Sequence, residues 1–408
     1  MTRGVRWLVL VVALTALALV GEGAPVAGAA PAPSRADTEG GADWAQVSSG
    51  YYHTCGVRTT GRLYCWGQGT RGQLGTGGTG NTSVPTEVSG AATNWKSVSA
   101  GSAWTCAIRT NGTLWCFGRD DFGQLGNGPG GGDVLTPVQV GTATDWKSVS
   151  AGLGETTCGR RANKRVYCWG RDNNGQVGNG PAGSSNVERP TVVGTNADWT
   201  MVSTGGYHTC GRRSNGRVYC WGDDQDGAVG DGGGAPGTDR SSPTQVAGAH
   251  ADWTSVTSGI THSCGRRSSG RLYCWGSDIR QGLGNGGGST ASKFAPGEVR
   301  GGARDWKSVA AGSYFTCATK VSGRLYCFGD DFYGQVGTGV ADQTDNPTPT
   351  QVAGGATNWK AATMGNGHTC ALRTDGRLFC WGYGFFGQRG DGLSGGGAQV
   401  QPTPTEVA

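Results

Sequence analysis

A pair of cysteines ten residues apart occurs seven times in this chain. Each pair flanks a short polar segment, as in HTCALRTDGRLFCWG at residues 368–382. The chain contains 14 cysteines, so every cysteine belongs to this pattern. Such regular spacing predicts a fold built from copies of one structural unit.

Each repeat begins at a tryptophan that is preceded by Asp or Asn. Successive tryptophans of this kind are 51 to 54 residues apart, a period typical of propeller blades or solenoids. Gly accounts for 79 of the 408 residues, but it recurs at fixed repeat positions rather than as low-complexity sequence. The repeats begin at Trp44, Trp95, Trp146, Trp199, Trp253, Trp306 and Trp359.

Four strand signals follow each tryptophan. The first resembles WKSVSAG, the second and third flank the turn between the cysteines, and the fourth is a Pro-x-x-Val segment such as Pro85 to Val88. Proline is confined to edge strands or strand starts, so the fourth strand belongs on the outside. Four antiparallel strands in each of seven repeats predict an all-β fold, a seven-bladed β-propeller. The last repeat contains its own outer strand, Pro404 to Val407, so no blade needs to borrow a strand from the other end of the chain.

The turn between the cysteines sets their pairing. In the last repeat the turn Thr374-Asp375-Gly376 fits a three-residue hairpin loop, which places Cys370 opposite Cys380. Opposed positions bring Cβ atoms about 4.5–5.5 Å apart, close to disulfide distance. The spacing matches neither a zinc site nor a redox motif, so one disulfide in each blade is predicted. The pairs are Cys55 with Cys65, Cys106 with Cys116, Cys158 with Cys168, Cys210 with Cys220, Cys264 with Cys274, Cys317 with Cys327 and Cys370 with Cys380.

The repeat resembles a known family. The stretch VSSGYYHTCGV…GRLYCWGQGTRGQLG, from Val47 to Gly75, is similar to the regulator of chromosome condensation repeat, and the resemblance covers residues 44–408. It implies a seven-bladed ring used for protein binding. Two features depart from the usual pattern: cysteines stand where the family usually has apolar residues, and Glu155-Thr156-Thr157 replaces the step that contains His in blade 3.

The N-terminal region reads as an export signal. Arg3 and Arg6 precede the apolar stretch Trp7 to Val20, and small residues near Ala29 form a cleavage site. We therefore predict a signal peptide at residues 1–29, a linker at 30–42 and the propeller at 43–408, with an uncleaved anchor as the alternative. We therefore expect a secreted, extracellular protein whose mature chain has no membrane span. Disulfides suit the oxidising extracellular compartment.

Some aromatic residues are not explained by the repeat. Loops between strands one and two lie on the same face as loops between strands three and four, and blades 6, 7, 1 and 2 are adjacent in a closed ring. An aromatic sector on these loops predicts a protein-binding site, and packing over the blade ends is the alternative. The candidate residues are Trp104, Tyr51, Tyr52, Phe122, Tyr314, Phe315, Phe332, Tyr333, Tyr383, Phe385 and Phe386.

The hairpin tips on the opposite face place cations against cations, as at Arg58 and Arg62. Opposed like charges are unfavourable. We expect the Asp that precedes five of the repeat tryptophans to neutralise them: Asp43, Asp145, Asp198, Asp252 and Asp305. The alternative is that these cations, or the aromatic sector itself, bind a cell-surface glycan or cell-wall polymer.

Other functional classes find less support in the sequence. No nucleophile, base and orienting residue can be argued together, so we predict a non-enzymatic protein without cofactor or metal. A net charge of +5 makes a nucleic-acid partner unlikely, and we expect a monomer. Calcium at Asp223, Asp224 and Asp226 is a weaker alternative. Four histidines share one repeat position, which indicates a structural role: His53, His208, His262 and His368.

Overall fold

A computed structural model of the chain describes residues 43–129, 131–180, 186–233, 239–287, 290–396 and 400–408. The described residues belong to one compact unit. The predicted signal peptide at 1–29 and the linker at 30–42 lie outside the described residues, and both remain predictions. No helix in the described ranges is long and apolar enough to cross a membrane.

Each repeat forms one four-stranded antiparallel sheet, and the strands follow one another in chain order from the inner to the outer edge. The inner strands are Trp44–Ser49 (β1), Trp95–Ala100 (β5), Trp146–Ala151 (β9), Trp199–Thr204 (β13), Trp253–Ser258 (β17), Trp306–Ala311 (β21) and Trp359–Met364 (β25). The second strands are His53–Arg58 (β2), Trp104–Arg109 (β6), Thr156–Arg161 (β10), His208–Arg213 (β14), His262–Arg267 (β18), Phe315–Lys320 (β22) and His368–Arg373 (β26).

The third and fourth strands complete each blade. The third strands are Leu63–Gly67 (β3), Leu114–Gly118 (β7), Val166–Gly170 (β11), Val218–Gly222 (β15), Leu272–Gly276 (β19), Leu325–Gly329 (β23) and Leu378–Tyr383 (β27). The outer strands are Thr82–Glu87 (β4), Val134–Gln139 (β8), Val187–Val192 (β12), Arg240–Gln245 (β16), Lys293–Glu298 (β20), Asn346–Gln351 (β24) and Val400–Glu406 (β28). The outer strands begin earlier than predicted because pairing with the third strand starts upstream of the proline, at Thr82 opposite Gly67 in blade 1.

The predicted hairpin register is confirmed. Cys370 lies opposite Cys380, and Gly376 at the turn has a φ of 86°, the left-handed conformation that the three-residue loop requires. All seven predicted disulfides are present, each with Cα atoms 4.1 Å apart. The fold is therefore the predicted seven-bladed β-propeller, with four antiparallel strands and one disulfide in each blade.

The core lies between neighbouring blades. One cluster combines Leu372 and Leu378 of blade 7 with Trp44 and Trp66 of blade 1. The absence of a side chain at Gly56 has a steric cause, because a Cβ there would lie 2.6 Å from the ring of Trp44. Each repeat tryptophan therefore needs a small residue beneath it, and the preceding blade completes its burial, as blade 7 does for Trp44.

Hydrogen bonds also cross every seam between blades. A hydroxyl near the start of each second strand donates to a backbone carbonyl of the preceding blade. These bonds are Thr54 to Gln388, Thr105 to Gln73, Thr157 to Gln124, Thr209 to Gln176, Ser263 to Ala228, Thr316 to Gly282 and Thr369 to Gln335, at 2.8–3.1 Å. The seam between blades 7 and 1 makes the same bond as the others. The ring thus closes without strand exchange, as predicted.

Candidate binding surface on the loop face

Seven aromatic side chains form a continuous patch on the loops of blades 6, 7 and 1. Successive ring centroids are 4.6–6.4 Å apart along the patch, a spacing typical of favourable aromatic pairs. We call this set the aromatic patch. In order from blade 6 to blade 1 its members are Phe332, Tyr333, Tyr383, Phe385, Phe386, Tyr52 and Tyr51.

The aromatic patch is both ordered by packing and open to solvent. Phe332 is 42% exposed and Phe385 is 39% exposed, whereas their neighbours in the patch are partly buried. The Asn366 side-chain amide donates to the Tyr52 hydroxyl at 3.3 Å. The two exposed phenyl rings therefore stand on a layer of rings that hold one another in place. Local packing and an exposed binding surface were alternatives on the sequence alone. The aromatic patch shows both.

Tyrosines from distant blades approach one another near Tyr51. Burial, followed by the nearby phenol groups of Tyr52, Tyr314 and Tyr207, raises the pKa of Tyr51 to about 12. Tyr207 belongs to blade 4 and is 39% exposed. It was not among the candidate residues, although it holds the repeat position immediately before the second strand, as Tyr52 and Tyr314 do. That shared position was the signal available in the sequence.

Two candidate residues are not on the surface. Trp104 is 0% exposed and begins β6, at the position that His53 holds in blade 1. Its indole nitrogen donates to the Thr157 hydroxyl at 3.0 Å, which replaces the histidine contact with the next blade. Phe315 occupies the same position in blade 6 and is also 0% exposed. The prediction that these residues lie in exposed loops is wrong, because both belong to the seams.

The prediction that Phe122 belongs to the aromatic binding site is also corrected, because charged groups separate its side chain from the aromatic patch. The guanidinium carbons of Arg119 and Arg171 lie 5.1 and 5.4 Å from its ring centroid. Glu155 pairs with both arginines, at 3.0 and 2.9 Å. In blade 1 the corresponding loop position is Arg71, which is itself in an ion pair. The aromatic sector predicted for blades 6, 7, 1 and 2 is therefore continuous only over blades 6, 7 and 1.

The cationic rim on the opposite face is largely neutralised within the protein, as expected. In five blades the Asp before the repeat Trp pairs with the cation at the end of the second strand. These pairs are Asp43 with Arg58, Asp145 with Arg161, Asp198 with Arg213, Asp252 with Arg267 and Asp305 with Lys320. The opposing arginines Arg62, Arg271 and Arg377 pair with outer-strand glutamates. The geometry gives little support to an anion-binding rim.

In blades 2 and 7, Asn replaces the Asp before the repeat Trp, so the cation at the end of the second strand lacks this carboxylate partner. The guanidinium carbon of Arg373 lies 4.7 Å from the centroid of Trp359 and 4.0 Å from that of Phe379. Arg109 takes the equivalent position between Trp95 and Trp115. Burial lowers the pKa of both arginines. Arg58 makes the same contacts with Trp44 and Tyr64, so in blades 2 and 7 the aromatic faces remain and only the carboxylate partner is missing.

The repeated histidines and aspartates are structural. Burial lowers the pKa of His53, His208 and His368 to about 3 and that of His262 to about 4. Asp331, one of five aspartates at a repeated loop position, accepts a hydrogen bond from the Val336 amide at 2.9 Å, and burial raises its pKa to about 7. Within the described residues, no group of three or more His, Cys, Asp or Glu is placed to hold a metal ion.

A closed ring of four-stranded blades, each with its own disulfide, defines a seven-bladed β-propeller of repeat type. The profile of the regulator of chromosome condensation (RCC1) repeat matches most of the chain, and the chain belongs to this family. The matched residues are 60–108, 111–158, 163–211, 215–265, 269–319 and 322–372. A second profile of the same repeat matches 44–73, 95–124, 146–176, 200–228, 253–280, 306–335 and 359–388.

Two proteins and one solved structure are similar to this chain over most of the propeller. The chain is 29% identical over 355 residues to the ultraviolet-B receptor UVR8 of Arabidopsis thaliana, which covers 85% of this chain and 79% of that protein. It is 27% identical over 320 residues to the regulator of chromosome condensation of Homo sapiens, which covers 73% of each. The crystal structure of yeast RCC1 (Prp20) bound to Kap60 gives a TM-score of 0.73 at 20% identity, over 85% of this chain and 83% of that one.

Proposed function

We propose that this propeller is an extracellular, non-enzymatic scaffold that binds a protein partner through the aromatic patch. The observation that carries the proposal is the continuity of seven rings over three adjacent blades, two of which, Phe332 and Phe385, are exposed. Rigid aromatic groups on loops bury large apolar areas at little entropic cost, and such residues dominate binding energy at protein interfaces.

Two further observations support the location and the type of partner. A disulfide in every blade suits an oxidising compartment outside the cytoplasm. The yeast propeller of this fold is seen with a protein, Kap60, bound to it. Similarity of fold does not transfer that partner to this chain, but it is consistent with a ring that presents loops to another protein. The ion pairs on the opposite rim leave the aromatic patch as the stronger candidate surface.

The test is affinity capture from secreted and cell-surface proteins, with the mature propeller as bait. A Phe332→Ala, Phe385→Ala variant removes the two exposed rings of the patch, and Phe122→Ala removes an aromatic residue outside it. We expect the unaltered protein and Phe122→Ala to capture the same partner, and the double variant to bind it at least tenfold more weakly.

Two results would contradict the proposal. Equal binding by the double variant would show that the aromatic patch is not the interface. Capture of purified cell-wall polymer or glycan in place of a protein would favour the alternative function. If that binding also disappears at high ionic strength, the ligand is an anion held by charge rather than by the rings.

A further inference from the structure

A set of cations distinct from the paired rim lies where the inner strands begin. The inner strands surround a central channel lined by small side chains such as Ser48, Ser203 and Ala311. Each inner strand begins at the hairpin face, since its Trp pairs with the last residue of the second strand, as Trp199 does with Arg213. The residues at the start of the inner strands therefore surround the mouth of the channel on this face.

Four blades place a lysine at this mouth. In every blade the register between the inner and second strands shifts just after the repeat Trp, so the next residue has no partner across the pair. Such bulges redirect a side chain. Lys360 Nζ donates across the seam to the Ala45 carbonyl of blade 1 at 3.4 Å, so it stays at the start of the inner strands. The four lysines are all exposed: Lys96, Lys147, Lys307 and Lys360.

Three arginines of the second strands reach the same mouth. Arg212 Nε donates across the seam to the carbonyl of Trp253, the first residue of the next inner strand. Arg266 repeats this contact one blade further on, from Nη1 to the Trp306 carbonyl at 3.3 Å. Arg160 holds the same register position in blade 3. The guanidinium groups of Arg212 and Arg266 are thus held beside the first peptide of an inner strand.

The two kinds of cation complement each other around the ring. Blades 4 and 5 have Thr200 and Thr254 where four other blades have Lys, and these are the blades of Arg212 and Arg266. Arg212 Nη1 donates to the Thr200 hydroxyl at 3.0 Å, so its guanidinium lies beside the position that lysine holds elsewhere. Blade 3 has both a lysine and an arginine. Six adjacent blades, from 2 to 7, therefore supply seven cations to one opening.

Carboxylates do not neutralise this set. Among the described residues, none of the seven cations is in an ion pair. The five aspartates that precede repeat tryptophans are already paired with the cations at the ends of the second strands. Like charges gathered around one opening produce a positive potential that attracts anions. The mouth of the channel therefore differs from the surrounding rim, where the charges are balanced.

We infer that the mouth of the channel on the hairpin face binds a compact molecule that carries several phosphate groups. A phosphate monoester carries about −1.5 to −2 charges at neutral pH, so about four such groups balance the seven cations. Guanidinium and ammonium groups both bind phosphate oxygens through charge-assisted hydrogen bonds. A circle of cations suits a compact ligand on the axis of the ring, whereas a long linear polymer would cross only part of the circle. The site is on the opposite face from the aromatic patch and is independent of the proposed protein partner.

The test is isothermal titration calorimetry of the mature, disulfide-bonded protein with inositol hexakisphosphate at physiological ionic strength. Lys147→Gln, Lys307→Gln removes one exposed lysine of the mouth from blade 3 and one from blade 6, and we expect at least tenfold weaker binding. Because both side chains are exposed, the variant should keep the melting temperature of the parent protein. Orthophosphate, which has a single group, should bind the parent protein at least a hundredfold more weakly than inositol hexakisphosphate.

A matched control removes the same charge from the hairpins of the same two blades. Lys164→Gln, Arg324→Gln changes two exposed cations outside the mouth, and binding of inositol hexakisphosphate should be unchanged. Equal weakening in the two double variants would overturn the inference, because net charge alone would then explain the binding. No binding of inositol hexakisphosphate to the parent protein would overturn it as well. Tighter binding of heparin, a long linear polyanion, would overturn the assignment to a compact ligand.

Discussion

His368 in the last blade donates a hydrogen bond from Nε2 to the hydroxyl of Thr54 in the first blade, at 3.0 Å. The direction follows from the second bond of that hydroxyl, which donates to the Gln388 carbonyl at 2.8 Å. Because the hydroxyl has only one hydrogen, it can only accept from the imidazole. The imidazole of His368 is thus neutral, with its proton on Nε2. The propeller closes through such contacts, since blades 7 and 1 exchange no strand.

Removing this hydroxyl should weaken ring closure. In Thr54→Val the buried His368 Nε2 loses its acceptor, and an unsatisfied buried donor costs about 1–3 kcal/mol. Thr369→Val is the matched control, because the facing residue in blade 6 is Phe315, which makes no such bond. Denaturant unfolding should show a larger loss for Thr54→Val than for Thr369→Val. Equal losses would mean that the histidine bond contributes nothing to closure.

The buried histidines should make the protein sensitive to acid. Burial lowers the pKa of His208 to about 3 in the folded state, whereas the unfolded residue titrates near 6.5. Below pH 6.5 the unfolded state binds a proton that the folded state does not, so stability is fully present above that pH and falls as the pH decreases toward 3. The cost for one such histidine is about 2 kcal/mol between pH 7 and pH 5.

His208→Phe tests this coupling, because Phe315 shows that the position accepts a phenyl ring. We expect the variant to lose less stability than the parent between pH 7 and pH 5, measured by denaturant unfolding at each pH. Buried aspartates act in the opposite sense: the pKa of Asp331 is raised to about 7, so its contribution to stability decreases as the pH rises. Since Asp331 is the same in both proteins, the difference isolates the histidine. Identical pH profiles would contradict the prediction.

Each disulfide should stabilise its blade by restricting the unfolded chain. A bridge that closes a loop of about ten residues contributes roughly 2–3 kcal/mol on the loop-entropy argument. Replacing Cys317 and Cys327 together by Ala should therefore lower the melting temperature by several degrees and keep the fold. Thermal unfolding of the variant beside the parent measures the effect. If reduction of all seven bridges leaves the melting temperature unchanged, the bridges have no role in stability.

Trp104 should matter for stability but not for partner binding. Trp104→Phe removes the donor to the Thr157 hydroxyl and part of a buried ring, while Phe315 shows that the position tolerates phenylalanine. We expect a loss of about 1–3 kcal/mol and unchanged capture of the partner. Weakened partner binding in a folded Trp104→Phe protein would return Trp104 to the binding surface.

Asn358 offers a test of how the opposite rim is balanced. Asn358→Asp introduces the carboxylate that five other blades place before the repeat Trp, within reach of Arg373. A partly exposed pair of this kind adds about 0.2–1 kcal/mol, and salt should reduce the gain. Chemical denaturation at low and high salt measures both effects. The Asn358 amide donates to the Asp375 carboxylate at 3.3 Å, so a loss of stability at low salt would show that repulsion from Asp375 outweighs the new pair with Arg373.

The fold and its cross-links could be predicted from the amino-acid sequence. The repeated Trp fixes the blade count, and the three-residue turn fixes the register that pairs Cys370 with Cys380, because both are set by contacts local in the chain. The same argument placed Asp43 against the cation at Arg58. Such features depend on one repeat, or on its neighbour at a constant offset, and counting positions is enough to find them.

The exposure of the aromatic residues could not be predicted from the sequence and is known from the folded structure. Trp104 and Phe315 stood out from the repeat pattern, yet they fill the histidine position in the seams. The patch from Phe332 to Tyr51 is continuous because loops from three blades converge, and Arg71 ends the continuity before Phe122. Exposure depends on packing between blades and on side-chain direction. None of these is fixed by spacing along the chain.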